Sequence, residues 1–155
     1  MSGDWDDEAL WPRRLADWPC RTRLSTRWRD NDVYGHLNNT VYYEFFDAAI
    51  NAELIRAGLL DPLRAPAYGV VAETGCRYLA SLSYPADVYL GFGVARLGRA
   101  SVTWHLAVFG AEDAMPAALG RFVHVFVARA SGRPAPLPPA VRAHLAGRRL
   151  AAAPD

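Results

Sequence analysis

The chain has few cysteines and almost no net charge. Of its 155 residues only Cys20 and Cys76 are cysteines, too few for a disulfide framework and without the C-x-x-C spacing of redox or zinc sites. We expect both to be reduced packing residues. The formal net charge of +1 creates no overall field for nucleic acid or an anionic membrane, so any anion site must be local.

Long hydrophobic runs are also absent. No stretch approaches the run of about 18 apolar residues that a transmembrane helix needs, and the first residues are acidic where a signal peptide would be basic and then apolar. These features predict a cytoplasmic protein that has no membrane partner. A hydrophobic content of 52% with 21% charged residues is the ordinary globular balance, and the length corresponds to one domain.

The order of predicted elements indicates the fold class. Successive residues that alternate between two faces predict strands over residues 21–28, 70–79, 88–95, 101–108 and 119–128. One long helix is predicted over residues 41–57, with candidate N-caps at Asn38, Asn39 and Thr40. It is apolar over most of its circumference and must be wrapped by other elements. The sequence therefore predicts an α+β protein in which an antiparallel sheet of about five strands packs on one central helix.

The two ends of the chain differ in composition from its middle. We expect residues 1–19, with three tryptophans among acids and prolines, to form an N-terminal arm that docks on a domain spanning 20–135. Prolines introduce a short basic helix from about residue 140 to 149, within a C-terminal segment of helix and tail at 136–155. A chain of this size has a modest core, which favours burial of further surface in a homodimer or homotetramer.

The densest cluster of polar side chains falls just before the long helix, between Asp30 and Asn39. It places aspartates, a histidine and asparagines around Gly35, where the backbone can turn tightly or approach a ligand closely. A helix that begins near Asn39 points free N–H groups and the positive end of its dipole into the same space. A carboxylate beside such an oxyanion-stabilising end predicts acyl-transfer chemistry.

Structural roles are the alternative for several polar residues. Asp30 lies close to Arg27 in sequence and is expected to form an ion pair or a turn. Glu44 lies on the narrow polar seam of the helix, where pairing with an arginine of a partner chain is the common use. His105 and His124 alternate with apolar residues on predicted strands, as satisfied structural histidines do.

Metal sites do not fit the spacing of this cluster. An EF-hand loop that began at Asp30 would need an oxygen ligand at Tyr34 and a glutamate at Val41. Zinc bound by Asp32 and His36 would lack a third and a fourth ligand nearby. We therefore expect no metal and no cofactor.

The pattern Asp30-x-Asp32-x-x-Gly35-His36-x-Asn38-Asn39-x-x-Tyr42, followed by an aromatic-rich helix and then strands, resembles the signature of hotdog-fold acyl-CoA thioesterases of the 4-hydroxybenzoyl-CoA thioesterase type. The resemblance covers about residues 21–133 in element order. It implies a sheet curled around the central helix, two protomers that pair their sheets edge to edge, and active sites at the dimer interface.

The resemblance also implies roles for individual residues. Asp32 would be the nucleophile or general base against a thioester carbonyl, and the backbone N–H groups around Asn39 would polarise that carbonyl. His36 would shape the pocket, order water or brace the loop. Further substrate contacts would come from Gly35, Asn38, Tyr42 and Glu73. Contacts to CoA phosphates would come from side chains on strands and loops near the entrance, for which the candidates are Arg96, Arg99, Ser101, Arg129 and Arg133.

We therefore expect hydrolysis of an acyl-CoA to a free acid and CoA. Three alternatives stay open: a thioesterase for acyl carrier protein, a hydratase on the same fold, and a non-catalytic subunit that binds acyl-CoA. Glu73 is an alternative base if its strand faces a partner's active site. Neither the acyl group nor the choice between dimer and tetramer follows from the sequence.

Overall fold

A computed structural model gives the structure of residues 4–7 and 10–151; parts of the predicted arm and tail, at 1–3, 8–9 and 152–155, lie outside the described residues. The elements in chain order are β1 (Cys20–Leu24), α1 (Val41–Arg56), β2 (Ala67–Tyr78), β3 (Val88–Leu97), β4 (Ser101–Phe109), β5 (Pro116–Ala128) and α2 (Pro139–Ala146). Short 3-10 turns cover Asp4–Asp6, Leu15–Asp17 and Trp28–Asp30.

The five strands form one antiparallel sheet in the order β1-β3-β4-β5-β2. Because β1 and β2 lie at opposite edges, the connection between them has to cross a whole face of the sheet, and α1 makes this crossing. The predicted α+β class and the central helix are confirmed. The twelve residues of β2 pair with β5 on one side only, so the other side of β2 is a free edge.

The core lies between α1 and the inner face of the sheet. Phe46 and Ile50 are fully buried on α1, and a Cβ atom on Gly120 of β5 would lie 2.4 Å from the Phe46 ring. Glycine at position 120 therefore lets the helix approach the sheet closely. Burial of a phenylalanine side chain stabilises a fold by about 1.5–3 kcal/mol, so this contact is a substantial part of the core.

The outer face of the sheet is covered by the N-terminal arm. Its large apolar side chains are buried in a cluster of their own, formed with strand residues and Leu150: Leu10, Trp11, Leu15, Trp18, Ala95, Ala107 and Phe109. Trp18 lies so close to β3 that a Cβ atom on Gly91 would be 2.3 Å from its side chain. The ring of Trp11 stacks on the buried ring of His105 with centroids 4.0 Å apart. His105 is thus a packing residue of the outer layer.

The C-terminal helix joins the main core rather than standing apart from it. Val141 and Leu145 of α2 are buried in the same cluster as the apolar face of α1. Glu53 of α1 accepts hydrogen bonds from Nε2 of His144 at 3.0 Å and from Nε of Arg148 at 2.9 Å. This ion pair fastens the end of the chain to the central helix.

The first strand is shorter than its alternating pattern predicts. It ends at Leu24 instead of continuing to Trp28, because Thr26 turns to donate its hydroxyl to the carbonyl of Ala86 at 2.8 Å and a 3-10 turn follows. Trp28, the last residue of the predicted strand, lies outside β1 and is 83% exposed. The strands β2 and β5 each begin three residues before their predicted starts, and α2 ends at Ala146.

Candidate active site

The loop before α1 is a tight hairpin closed by an antiparallel bridge between Asn31 and Leu37. The Asp32 N–H donates to the carbonyl of His36 at 2.8 Å, and the Gly35 N–H donates to the carbonyl of Asp32 at 3.1 Å. Gly35 has a φ of +81°, a left-handed conformation that glycine adopts without strain. The glycine therefore makes the turn that brings Asp32 and His36 together.

The carboxylate of Asp32 is fixed by the backbone of its own loop. Its Oδ1 accepts the N–H of Tyr34 at 2.8 Å and, at the longer distance of 3.4 Å, that of His36. This Asx turn holds the side chain in one orientation. Among residues 4–7 and 10–151 no group donates to Oδ2, so one carboxylate oxygen is left to act on a ligand.

Asn38 forms hydrogen bonds at the start of α1. Its Oδ1 accepts both the backbone N–H of Thr40 at 3.0 Å and the Thr40 hydroxyl at 2.9 Å. Of the three predicted N-caps, Thr40 is the capping residue of α1 but makes no side-chain capping bond, and Asn38 satisfies a backbone N–H. Asn38 thus stabilises the start of α1, because its Oδ1 forms both of these hydrogen bonds within the protein.

Asn39 presents its backbone at the positive end of α1. Its carbonyl accepts the hydroxyl of Tyr78 at 2.8 Å, and its N–H finds no acceptor among the described parts of the chain. A free N–H at a helix N-terminus is a donor for a developing oxyanion. The backbone N–H of Asn39, rather than its side chain, therefore stays the predicted donor.

A second loop, between β2 and β3, holds the hairpin in place. The Leu37 N–H donates to the carbonyl of Leu82 at 2.7 Å, the Ser83 hydroxyl donates to the carbonyl of Gly35 at 2.7 Å, and the Tyr84 N–H donates to Oδ1 of Asn31 at 3.0 Å. This support could not be predicted from the sequence, because no motif links residues about 50 positions apart.

These elements enclose an open cleft of about 340 Å³. Four predicted site residues line it together: Asp32, His36, Asn39 and Tyr42. The remaining wall is made by Leu37 and by the end of β2 with the residues that follow it: Tyr78, Leu79, Ala80 and Ser81. This wall could not be predicted from the sequence, in which its one visible feature is an aromatic residue near the end of a predicted strand.

The floor of the cleft is aromatic. Tyr42 is buried, and its ring meets the ring of Tyr78 edge to face with centroids 5.2 Å apart. Burial raises the pKa of both phenols, so both hydroxyls stay protonated at neutral pH. Burial also raises the pKa of the neighbouring Cys76 thiol to about 11, which makes it a packing residue rather than a nucleophile.

The other aspartate of the motif has a structural role. Asp30 is 1% exposed and accepts hydrogen bonds from the Arg27 N–H at 2.7 Å and from Arg27 Nε at 2.9 Å. The same guanidinium donates to Glu44 on α1 at 2.7 Å. Arg27 is thus the arginine that pairs with the polar seam of the helix, and it belongs to the same chain rather than to a partner.

Several residues that the resemblance implied lie away from this cleft. Glu73 is on the outer face of the sheet, where it forms an ion pair with Arg121. Arg129 donates to the carbonyls of Ala65 at 2.7 Å and Pro62 at 3.0 Å, which fixes the loop before β2. Four further residues lie at the opposite end of the sheet from Asp32: Arg96 near the end of β3, Arg99 in the turn after it, Ser101 at the start of β4 and Arg133 after β5.

Two further properties of the described residues bear on what the site can do. No group of three or more histidine, cysteine, aspartate or glutamate side chains is placed to hold a metal ion in residues 4–7 and 10–151. No helix in that part of the chain is both long and apolar enough to span a membrane.

Comparisons with known proteins agree with this geometry. The family model of the thioesterase-like superfamily matches residues 26–145. The crystal structure of the PA5185 protein from Pseudomonas aeruginosa is 43% identical and superposes with a TM-score of 0.86, covering 91% of this chain and 99% of that one. A thioesterase from Thermus thermophilus, solved with coenzyme A and Zn, is 32% identical with a TM-score of 0.70, covering 83% and 93%.

No curated protein matches the chain. The matched residues nevertheless include the hairpin, α1 and all strands from β2 to β5, and the sheet with its central helix is the hotdog fold that the resemblance implies. The chain therefore belongs to the thioesterase-like superfamily and is a thioester hydrolase.

Proposed function

We propose that the protein hydrolyses acyl-CoA to a free acid and CoA, with Asp32 as nucleophile or general base. One observation carries the proposal: a carboxylate with a free oxygen and an N–H at a helix start line the same cleft. The Asn39 N–H would donate to the thioester carbonyl oxygen and stabilise the negative charge that grows on it during attack.

Asp32 can act by either of two routes, and each of them consumes one water molecule as the second substrate. As a general base, it takes a proton from water, the hydroxyl adds to the carbonyl carbon, and the C–S bond breaks to give the acid and a thiolate that is protonated. As a nucleophile, it forms an acyl anhydride and releases the thiol, and water then cleaves the anhydride. His36 lines the same cleft, where it orders the attacking water.

The choice of CoA as the carrier rests on a relative. The Thermus thermophilus thioesterase that was solved with coenzyme A is 32% identical to this chain over most of its length. The small cleft favours a thiol carrier that enters as a flexible chain. An acyl carrier protein presents its thioester on a similar flexible arm, so the carrier needs a direct test.

We also propose that the working unit is a homodimer or homotetramer. The free edge of β2 exposes Val70 and Val71, at 38% and 49%. An unpaired edge strand of twelve residues that carries exposed apolar side chains is stabilised when a second strand pairs with it. A partner at this edge would stand beside Tyr78 and complete the open side of the cleft.

A thiol-release assay tests the proposed function. Short, long, branched and aromatic acyl groups are offered on CoA and, in parallel, on acyl carrier protein. We expect turnover on CoA with a preference for one acyl class. Turnover confined to acyl carrier protein would contradict the proposed carrier, addition of water across a double bond would indicate a hydratase, and tight binding without turnover would indicate a non-catalytic subunit.

A further inference from the structure

A second pocket, of about 290 Å³, lies on the outer face of the sheet beside the end of β2. It is formed between the N-terminal arm and the sheet, and we call it the arm pocket. It is rich in indole and guanidinium groups, and its lining residues are Trp5, Trp11, Arg13, Arg77, Leu79, Met115, Pro116 and Leu119. Aromatic rings beside guanidinium groups are the combination that recognises a base attached to phosphates.

The aromatic wall of the arm pocket is a fixed structure. The rings of Trp5 and Trp11 stack with centroids 5.2 Å apart and an angle of 8° between their planes. Trp5 packs closely against β2 because Gly75 has no side chain there: a Cβ atom on Gly75 would be 3.1 Å from the indole. Trp11 in turn stacks on His105. The sheet therefore holds both indoles in place before any ligand arrives.

The charged wall is held by the arm as well. The guanidinium of Arg77 lies 5.0 Å from the centre of the Trp5 ring and donates to the Trp5 carbonyl at 3.1 Å. It also contacts Asp6 at 3.3 Å, an ion pair in which both side chains are about half exposed or more. Such an exposed pair is weak and is readily exchanged for a phosphate, which offers more acceptor oxygens.

The arm pocket adjoins the cleft across the end of β2. Leu79 lines both spaces, Tyr78 before it faces the cleft, and Arg77 faces the arm pocket. A ligand whose thioester lies beside Asp32 and whose other end carries a base and phosphates can therefore reach the arm pocket by passing Leu79. Acyl-CoA has this form, because the flexible pantetheine chain joins its thioester to an adenine nucleotide.

We infer that the arm pocket binds the adenine and phosphate end of the CoA carrier, with adenine against the indole of Trp5 and phosphates on Arg77 and Arg13. Trp11 is 5% exposed and stacks on both Trp5 and His105, so it supports Trp5 instead of contacting the ligand. This inference rests on the proposed function. It differs from the phosphate contacts that the resemblance implies at Arg96, Arg99, Ser101, Arg129 and Arg133, which lie at the opposite end of the same protomer's sheet.

The test compares one acyl group on two carriers, CoA and pantetheine, of which the second lacks the nucleotide. KM and kcat are measured for the wild type, Arg77→Gln and Trp5→Leu, with Arg64→Gln as the control, since Arg64 is an exposed arginine in the loop before β2. We expect both arm-pocket variants to raise KM for acyl-CoA by roughly tenfold with little change in kcat, the usual scale for a lost stacking or phosphate contact.

Acyl-pantetheine separates a binding effect from damage to the fold. The same variants should keep the wild-type KM and kcat for it, and Arg64→Gln should match the wild type on both carriers. An unchanged KM for acyl-CoA in Arg77→Gln and Trp5→Leu would overturn the inference, as would a rise confined to Arg99→Gln. A wild type that turns over acyl carrier protein but no acyl-CoA would overturn the proposed function, and the inference with it.

Discussion

Tyr78 donates its hydroxyl to the backbone carbonyl of Asn39 at 2.8 Å, which ties the end of β2 to the start of α1. The two residues are far apart in the sequence, yet they stand on either side of the cleft and fix its width. The Asn39 N–H that faces the thioester in our proposal belongs to the same residue, so the position of this donor depends on Tyr78.

Removal of the Tyr78 hydroxyl is expected to slow catalysis. Tyr78→Phe keeps the edge-to-face contact with Tyr42 but loses a hydrogen bond worth roughly 1 kcal/mol, so we expect kcat to fall about threefold to tenfold with a small change in KM. Steady-state kinetics with the best acyl-CoA measures this. Tyr68→Phe, at the other end of β2, is the matched control and should behave as the wild type.

Asp32→Asn is expected to act on the chemical step. The amide keeps the shape of the side chain and can still accept the Tyr34 N–H, but it supplies neither a base nor an anionic nucleophile. We expect kcat to fall by roughly a hundredfold or more, the scale for a positioned base, with KM nearly unchanged. A fully active Asp32→Asn would remove Asp32 from the mechanism and make His36 the candidate base.

Asp30→Asn is the matched control in the same loop. Asp30 is buried and bound to Arg27, so this variant should lose stability, on the order of 1–3 kcal/mol by urea unfolding, while kcat is kept in the folded protein. Equal losses of kcat in the two variants would mean that general damage to the hairpin explains both.

Local patterns predicted the elements that carry the site. The alternation of residues along the strands and a helix that is apolar over most of its circumference were sufficient to predict the sheet and α1. The motif was sufficient to place Asp32, Gly35 and Asn39 near the start of that helix. These features depend on residues that are close in sequence. The pairing of Asp30 with Arg27, three positions apart, was predictable for the same reason.

The positions of residues relative to distant parts of the chain could not be predicted from local patterns. Arg77 lies near the end of one predicted strand and Arg99 lies after the end of another, and only the sheet order and strand register show that they lie at opposite ends of the sheet. Tyr78 and Ser83 reach the hairpin across about 50 residues of chain, so no spacing rule reveals them. Trp28 fits an alternating pattern but is exposed, because the chain leaves the sheet at Leu24.

The free edge of β2 is expected to pair with a second copy. Sedimentation at micromolar concentration should give a multiple of the 17.1 kDa chain mass. Val71→Lys places a charge on the edge and should shift the protein toward the monomer, since edge lysines oppose strand pairing. Leu63→Lys, also at an exposed apolar residue but in a loop, is the control. A wild type that sediments as a 17.1 kDa monomer would contradict the expected assembly.

Hydrolysis is expected to survive removal of divalent metal ions. Asp32 and His36 line the cleft without a third metal-binding side chain among the described residues, whereas a catalytic zinc needs three protein ligands. Thiol release is measured after exhaustive treatment with EDTA and dialysis. A loss of activity that a divalent ion restores would show that a metal takes part in the attack.

The ion pair between Glu53 and the C-terminal segment should make stability depend on pH. Burial alone would raise the pKa of Glu53, but the hydrogen bonds from Arg148 and His144 outweigh burial and hold the pKa below its usual value of 4.5. Because the unfolded chain binds this proton more readily than the folded chain, the ionised Glu53 stabilises the fold above about pH 4.5. That stabilisation is lost as the pH falls through the lower pKa of the folded state.

Glu53→Gln measures this contribution. At pH 7 the variant loses charge-assisted hydrogen bonds to a largely buried side chain, and we expect the free energy of unfolding to fall by roughly 1–3 kcal/mol. Urea unfolding between pH 7 and pH 3 should show a constant deficit down to about pH 4.5 and a shrinking one below, because the protonated wild type then resembles the variant. Glu112→Gln, at an exposed position, should show no such trend. A deficit that grows as the pH falls would contradict the lowered pKa of Glu53.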